Sequence, residues 1–335
     1  MTTEIADALR GMGLLGADET PAIEMLSGGV SCDVYKVSIA GPSMEERPPL
    51  VVKRALPKLR VAADWRAPPE RSAAEVAWIK LVAQIDPAWV PAIRGEDRAR
   101  HLFAMDYLPY PLWKTELAAG HVDIAFARAT GAALARIHGT TAGRGDVAAA
   151  FDNGAQFHAL RLEPYLLSTA ERHPALGPAI RDEVARIAAA RIALMQGDIS
   201  PKNILCGPEG PVFLDAETAC YGDPAFDLAF CLNHFLLKAV WHPELTDAYA
   251  RAFAATAEAY RGGVTWEKPF AVDGRTARLL PMLLLARVDG KSPVEYLTDD
   301  ADKSFVRGAA LQMIVEPPLN LALLGETYFT VAAQR

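Results

Sequence analysis

Near residues 108–112 the pattern of the chain changes character, and that change limits what it can fold into. Before it, short apolar runs at 23–26, 34–39 and 50–56 are separated by turn residues and read as an antiparallel set of strands. The turn-rich AGPSMEERPP (40–49) suits an exposed hairpin connection, and the Pro- and Arg-bearing stretch 57–70 reads as a loop. Residues 70–85 place Val76, Ile79, Val82 and Ile85 at helical spacing, and 101–109 reads as a further strand stopped by Pro109 and Pro111. Beyond that point alanine-rich amphipathic stretches take over, at 122–140, 154–171, 178–191, 224–240, 244–260, 275–288 and 304–314. Only short strands around 196–215 interrupt them. The pattern predicts an α+β, bilobal arrangement: a small β-rich part with one main helix over 1–108, and a larger, mostly helical part over 109–335.

With 335 residues there is ample chain for two cores. A 51% hydrophobic, 22% charged composition is that of a globular protein. The net charge of −7 argues against a nucleic-acid partner, which calls for a basic surface. The opening MTTEIADALR has neither the cationic start nor the apolar core of a secretory signal. No apolar run reaches membrane-spanning length, and LLPMLLLA (279–286) suits a buried helix. Cys32, Cys206, Cys220 and Cys231 have no paired spacing, so free thiols in a reducing cytoplasm are expected.

The chemistry concentrates in QGDISPKNILCGPEGPVFLD (196–215). Asp198 is followed five residues on by Asn203 and seventeen on by Asp215, which closes the apolar run 212–214. A carboxylate to orient a hydroxyl, with an amide and a second carboxylate as hard oxygen donors for Mg²⁺, is a minimal set for moving a γ-phosphoryl group. Any one of these residues alone would pass as a turn former; the joint spacing carries the reading. In GDPAFDLAFCL (222–232) Asp223 and Pro224 suit a helix start. Asp227 sits among apolar neighbours, where a buried carboxylate needs donors; it is expected to hold backbone N–H groups of the 196–203 loop.

Lys53 lies inside the apolar run LVVKRAL, on the face shared with Val51 and Ala55. Glu75 on the following helix is its expected partner, with Glu70 the rival at the helix start. A strand lysine paired to a helix glutamate orients nucleotide phosphates. Gly28, Gly29 and Ser31, between two strand-like runs, allow close backbone approach to those phosphates. Asp106, Tyr107 and Leu108 of the connector FAMDYL can offer backbone groups to adenine. His138, ending a predicted helix, reads as a capping or core residue. No P-loop pattern and no G-x-S-x-G elbow occurs.

With Gly28-Gly29, Lys53, Glu75, Asp198, Asn203, Asp215 and GDPAFDLA in place, the chain resembles the aminoglycoside phosphotransferase family, which includes choline, homoserine, methylthioribose and fructosamine kinases. The likeness runs from about residue 24 to past 240. It implies a protein-kinase-like fold, ATP as donor with Mg²⁺, and a small-molecule hydroxyl as acceptor. It makes Asp198 the catalytic Asp, Asn203 and Asp215 the Mg²⁺ ligands, and Lys53 with Glu75 the nucleotide pair. One position departs: the family's His-Gly-Asp is here Gln196-Gly197-Asp198. Glutamine can replace the histidine's bracing hydrogen bonds, so activity is expected to be retained but slower.

For the acceptor, ARVDGKSPVEYL (286–297) offers Arg287, Asp289, Lys291 and Glu295 around one turn, a mixed charge suited to a polar or zwitterionic compound. A polycationic aminoglycoside would need a strongly acidic pocket, and TDDAD (298–302) is the clearest acidic cluster. A nucleotide-binding protein without turnover is the alternative from another class. A protein kinase is disfavoured, because only eleven residues separate Asp215 from Asp227, too few for a peptide-seating activation loop.

Overall fold

The structure is a computed structural model that describes residues 2–26, 31–39, 47–60 and 67–335. It divides into two compact units, Met1–Tyr110 with Leu214–Thr218, and Pro111–Phe213 with Ala219–Arg335. The short piece Leu214–Thr218 therefore groups with the first unit, although sequence pattern assigns all of 109–335 to the second.

The first unit runs α1 (Thr2–Gly11), β1 (Ala22–Met25), β2 (Cys32–Ser38), β3 (Leu50–Ala55), α2 (Arg71–Ile85), β4 (Ile93–Asp97) and β5 (Leu102–Asp106). The strands form one antiparallel sheet in the order β1-β2-β3-β5-β4. β3 lies at its centre, with Lys53 opposite Val34 on one side and Phe103 on the other. Alternation sorts its side chains. Val52 joins Tyr35, Val37, Leu102 and Ala104 against Ile5, Ala8 and Leu9 of α1, while Lys53 meets Glu75 of α2. Burying Ile5 and Leu9 contributes roughly 1.5–3 kcal/mol each. Both α1 and β4 lie outside the predicted elements.

The second unit follows with α3 (Trp113–Ala118), α4 (Ile124–Thr141), α5 (Gly145–Ala150) and α6 (Gly154–Phe157). A π-helical stretch, His158–Leu167, contains Pro164, which has no N–H to give a regular helix. Then come α7 (Ser168–Arg172), α8 (Gly177–Ala189), β6 (Ala193–Met195), β7 (Ile204–Gly207), β8 (Gly210–Phe213) and β9 (Cys220–Gly222). α9 (Ala225–Trp241), α10 (Thr246–Gly263), α11 (Pro269–Asp289), α12 (Asp300–Val315) and α13 (Leu321–Ala332) complete the unit. β6 pairs with β9 and β7 with β8, so two small ribbons carry the ends of the 196–215 segment. α9 is buried from Ala225 to Val240, which makes it the central helix. The LLPMLLLA stretch is likewise buried within α11. No helix among the described residues is long and apolar enough to cross a membrane.

Candidate active site

In the first unit Lys53 is 5% exposed, and its ammonium makes two bonds to Glu75, at 2.9 and 2.8 Å from its two oxygens, and a third contact to Asp215. Glu70, the rival partner, is exposed at the start of α2. Burial pushes the Glu75 carboxyl up, to about 7, against the pull of Lys53. For Lys53, burial favours the neutral amine, but the charges of Asp215 and Glu75 outweigh it and hold the ammonium well above its ordinary range. Asp215 has a φ of 63°, a left-handed backbone that a non-glycine residue adopts at a cost of ~1–3 kcal/mol.

A residue that no sequence pattern selects anchors the segment beside Asp215. Arg71, at the first turn of α2, is 1% exposed and uses all five of its N–H groups. Its Nε donates to Glu217 at 2.8 Å, Nη1 to the carbonyls of Ala67 and Pro68 at 3.0 Å, and Nη2 to those of Ser31 at 2.5 Å and Leu56 at 2.8 Å. Glu217 is two residues from Asp215, so Arg71 fixes the acidic segment to the same helix that carries Glu75. The partners lie 146 positions apart, a separation no local pattern reveals.

Ser31 takes part through its carbonyl oxygen; Gly28 and Gly29 lie outside the described residues. The connector departs from expectation. The Asp106 N–H donates to the Ala92 carbonyl at 3.0 Å and the Tyr107 N–H to that of Pro49 at 3.1 Å. The Asp106 carboxylate is clasped by Arg94 at 2.5 and 2.7 Å. Two of the three connector amides are thus committed to the sheet and its edge, which leaves the Leu108 N–H for a base among the described residues.

In the second unit the loop after β6 is built around Asp227. Its two oxygens accept the Gln196 N–H at 2.7 Å and the Gly197 N–H at 2.8 Å, and His138 Nε2 lies 3.3 Å away. His138, fully buried, also contacts the Tyr260 hydroxyl at 2.8 Å. Gly197 has a φ of 82°, which turns successive amides toward one carboxylate. The Gln196 side-chain oxygen accepts the Asp198 N–H at 2.6 Å. Neighbouring Asp223 accepts the Ala225 N–H at 3.0 Å, so it caps α9, and it is clamped by Arg186 and by Arg275 at 2.9 Å.

Asp198 is 2% exposed. Its Oδ2 gathers Asn203 Nδ2 at 2.9 Å, Arg161 at 2.9 Å and Lys202 at 3.2 Å, whereas its Oδ1 is buried without a partner among the described residues. Asn203 spends its nitrogen on Asp198, at the carboxylate and again at the carbonyl at 3.0 Å, and so leaves its oxygen as the free end. Arg161, from the π-helical stretch, also donates to the Gly197 carbonyl at 2.7 Å. It is a second site residue that pattern reading misses.

Taken singly, Asn203 of the second unit presents a carboxamide oxygen and Asp215 of the first a carboxylate, each a hard donor of the kind Mg²⁺ takes. No cluster of three His, Cys, Asp or Glu that could hold a metal occurs among the described residues. The four cysteines are free, and burial pushes every thiol up, so none is a ready nucleophile.

A sequence model of the APH phosphotransferase enzyme family matches residues 22–270. The chain belongs to this family. Among curated proteins, methylthioribose kinase 1 of Oryza sativa subsp. japonica is 25% identical over 256 residues, which cover 65% of the chain and 59% of that kinase. Among solved structures, amicoumacin kinase hAmiN in complex with AMP-PNP, Ca²⁺ and Ami is similar at a TM-score of 0.57 and 14% identity, covering 96% of this chain and 98% of that one. Choline kinase LicA from Streptococcus pneumoniae is similar at a TM-score of 0.53 and 12% identity, covering 94% and 98%. These likenesses assign the kinase-like fold of the family to the chain, an antiparallel sheet unit and a mostly helical one, as sequence pattern predicts.

Proposed function

We propose that this APH-family protein is an ATP-dependent O-phosphotransferase acting on a hydroxyl of a small molecule. The observation that carries the reading is Asp198 Oδ1: a buried carboxylate oxygen without a partner among the described residues, on a loop whose Gln196, Gly197 and Asp198 amides are all held. Such an atom suits a substrate hydroxyl, which it would orient and whose proton it would accept as the oxygen attacks. Lys53, steadied by Glu75, is assigned to the nucleotide phosphates, and Asn203 and Asp215 to Mg²⁺. When bound, the metal would neutralise charge on the transferring phosphate. Gln196 and Asp227 support the loop, and the Leu108 backbone is the connector's remaining donor for adenine.

The names of the similar proteins, kinases of methylthioribose, choline and amicoumacin, support a small-molecule acceptor. An aminoglycoside is poorly served. Asp299 caps α12 and Asp302 pairs with Arg335 at 2.7 Å, which leaves of the 298–302 cluster only the exposed Asp300, 3.3 Å from Lys303. A non-catalytic nucleotide binder is the reading that the Gln196 departure would favour, yet Gln196 braces the Asp198 amide. Thermal unfolding with ATP, with and without Mg²⁺, tests the nucleotide assignment. Saturating MgATP should stabilise the chain by about 2–4 kcal/mol, and Lys53→Met and Asp215→Asn should abolish the shift. An unchanged shift in both variants rejects the assignment.

A further inference from the structure

Of the four charges around the 290 turn, three are neutralised. Asp289 is held by Arg307 at 2.7 and 2.8 Å and His173 at 2.8 Å, Lys291 meets Glu163 at 2.6 Å, and Glu295 meets Lys114. Arg287 is the exception. It is 9% exposed, donates to the Ser292 carbonyl and, at 3.1 Å, to the Ser292 hydroxyl, and has an unpartnered Nε and no carboxylate in contact among the described residues. Glu295, already bonded to Lys114, feels the Arg287 charge without touching it; a buried guanidinium with no carboxylate in contact is costly, and an anion can supply the partner.

The central helix α9 adds to this excess. His234 and Lys238 are one turn apart, 7% and 1% exposed, and neither His234 Nε2 nor Lys238 Nζ has a hydrogen-bond partner among the described residues. Adjoining Asn233, fully buried, has both ends of its carboxamide unpaired among the described residues. The Lys238 ammonium stacks 4.8 Å from the rings of Trp241 and Tyr296. Burial, with Lys114 adding, pulls it down to about 8 against the pull of Glu295. Burial and then Arg287, Lys238, Lys202 and Lys114 keep His234 neutral, which puts four cations within electrostatic reach of one imidazole.

This basic group adjoins the Asp198 loop through Tyr165. Its ring lies 5.6 Å from the Arg287 guanidinium on one side and 6.0 Å from that of Arg161 on the other, and Arg161 grips Asp198. Resting on the kinase reading above, we infer that the acceptor is a hydroxylated organic anion, its carboxylate or phosphate held by Arg287, Lys238 and His234 while its hydroxyl meets Asp198. A quaternary ammonium would find the aromatic seat of Trp241 and Tyr296 already taken by Lys238.

The test uses the full chain with MgATP and three charge classes of acceptor. The anions are D-glycerate, gluconate and ribose 5-phosphate, the neutral compounds methylthioribose and ribitol, and the cations choline and kanamycin. ADP release and thermal stabilisation are read in parallel at matched ionic strength. Anions alone should be phosphorylated and should stabilise the protein, the carboxylate and phosphate arms telling the two oxyanions apart. Arg287→Met and Lys238→Met should each raise KM for the anion ~30-fold while kcat changes less than about threefold, with Arg287→Lys restoring part. A neutral or cationic compound as best substrate, anions that neither stabilise nor react, or a KM unmoved in both Met variants overturns the inference. Anion binding lost in those variants, but without ADP release in the parent, would instead overturn the kinase reading and leave this one standing.

Discussion

The side-chain oxygen of Gln196 accepts the backbone N–H of Asp198 at 2.6 Å. The residue that departs from the family's motif therefore holds the amide of the proposed base. Gln196→Ala should leave that buried N–H unpaired, costing ~1–3 kcal/mol, and lower kcat about tenfold with KM for ATP unchanged. Gln196→His should turn over at least as fast as the parent. Steady-state kinetics of the two variants side by side check both.

Asp227 holds two amides of the same loop at 2.7 and 2.8 Å. An asparagine there has one acceptor oxygen and so orphans one of them. Asp227→Asn should cost about 2–3 kcal/mol and lower Tm by roughly 5–10 °C for a unit of this size. Thermal unfolding measures it.

Arg71 is the clamp of the first unit, fully bonded and paired with Glu217 at 2.8 Å. Arg71→Met should cost ~3–5 kcal/mol, because it leaves Glu217 as a buried uncompensated charge. Adding Glu217→Gln should recover part of that loss. With Asp215 two residues away, the MgATP-dependent stabilisation should also shrink in Arg71→Met. Denaturant unfolding of the single and double variants, with and without MgATP, separates the two effects.

These residues also mark how far the sequence could be read. Lys53 and Glu75 are visible because a charge inside an apolar strand and a glutamate on the next helix form a short-range pattern. Asp227 is visible as a carboxylate among Phe226, Leu228 and Phe230, but its donors are not. Arg71, Glu217 and Arg161 acquire meaning only from partners far along the chain, and the cations of α9 and α11 only from the burial that the fold imposes on them. β4 (IRGED) escapes because three of its five residues are charged and none is fully buried. α1 and α13 escape because they are short terminal helices whose apolar positions gain significance only once docked. The committed Asp106 and Tyr107 amides depend on sheet pairing, which residue identity does not encode.

Asp223 offers a pH test. Burial alone would raise its carboxyl, but Arg275 and Arg186 outweigh that and hold it below 3.8. A depressed folded value gives stability that is complete above the unfolded value, near pH 4, and is lost as pH falls through the folded one. Asp223→Asn should therefore cost about 3 kcal/mol at pH 7 and flatten the decline of stability below pH 4. Urea unfolding at pH 3, 5 and 7 reads the slope.

Whether Asp198 drives phosphoryl transfer is read from turnover of Asp198→Asn on the acceptor found for the parent. A loss of ~10³-fold or more in kcat is expected, with MgATP still stabilising the variant as it does the parent. Turnover within a few-fold of the parent would contradict it.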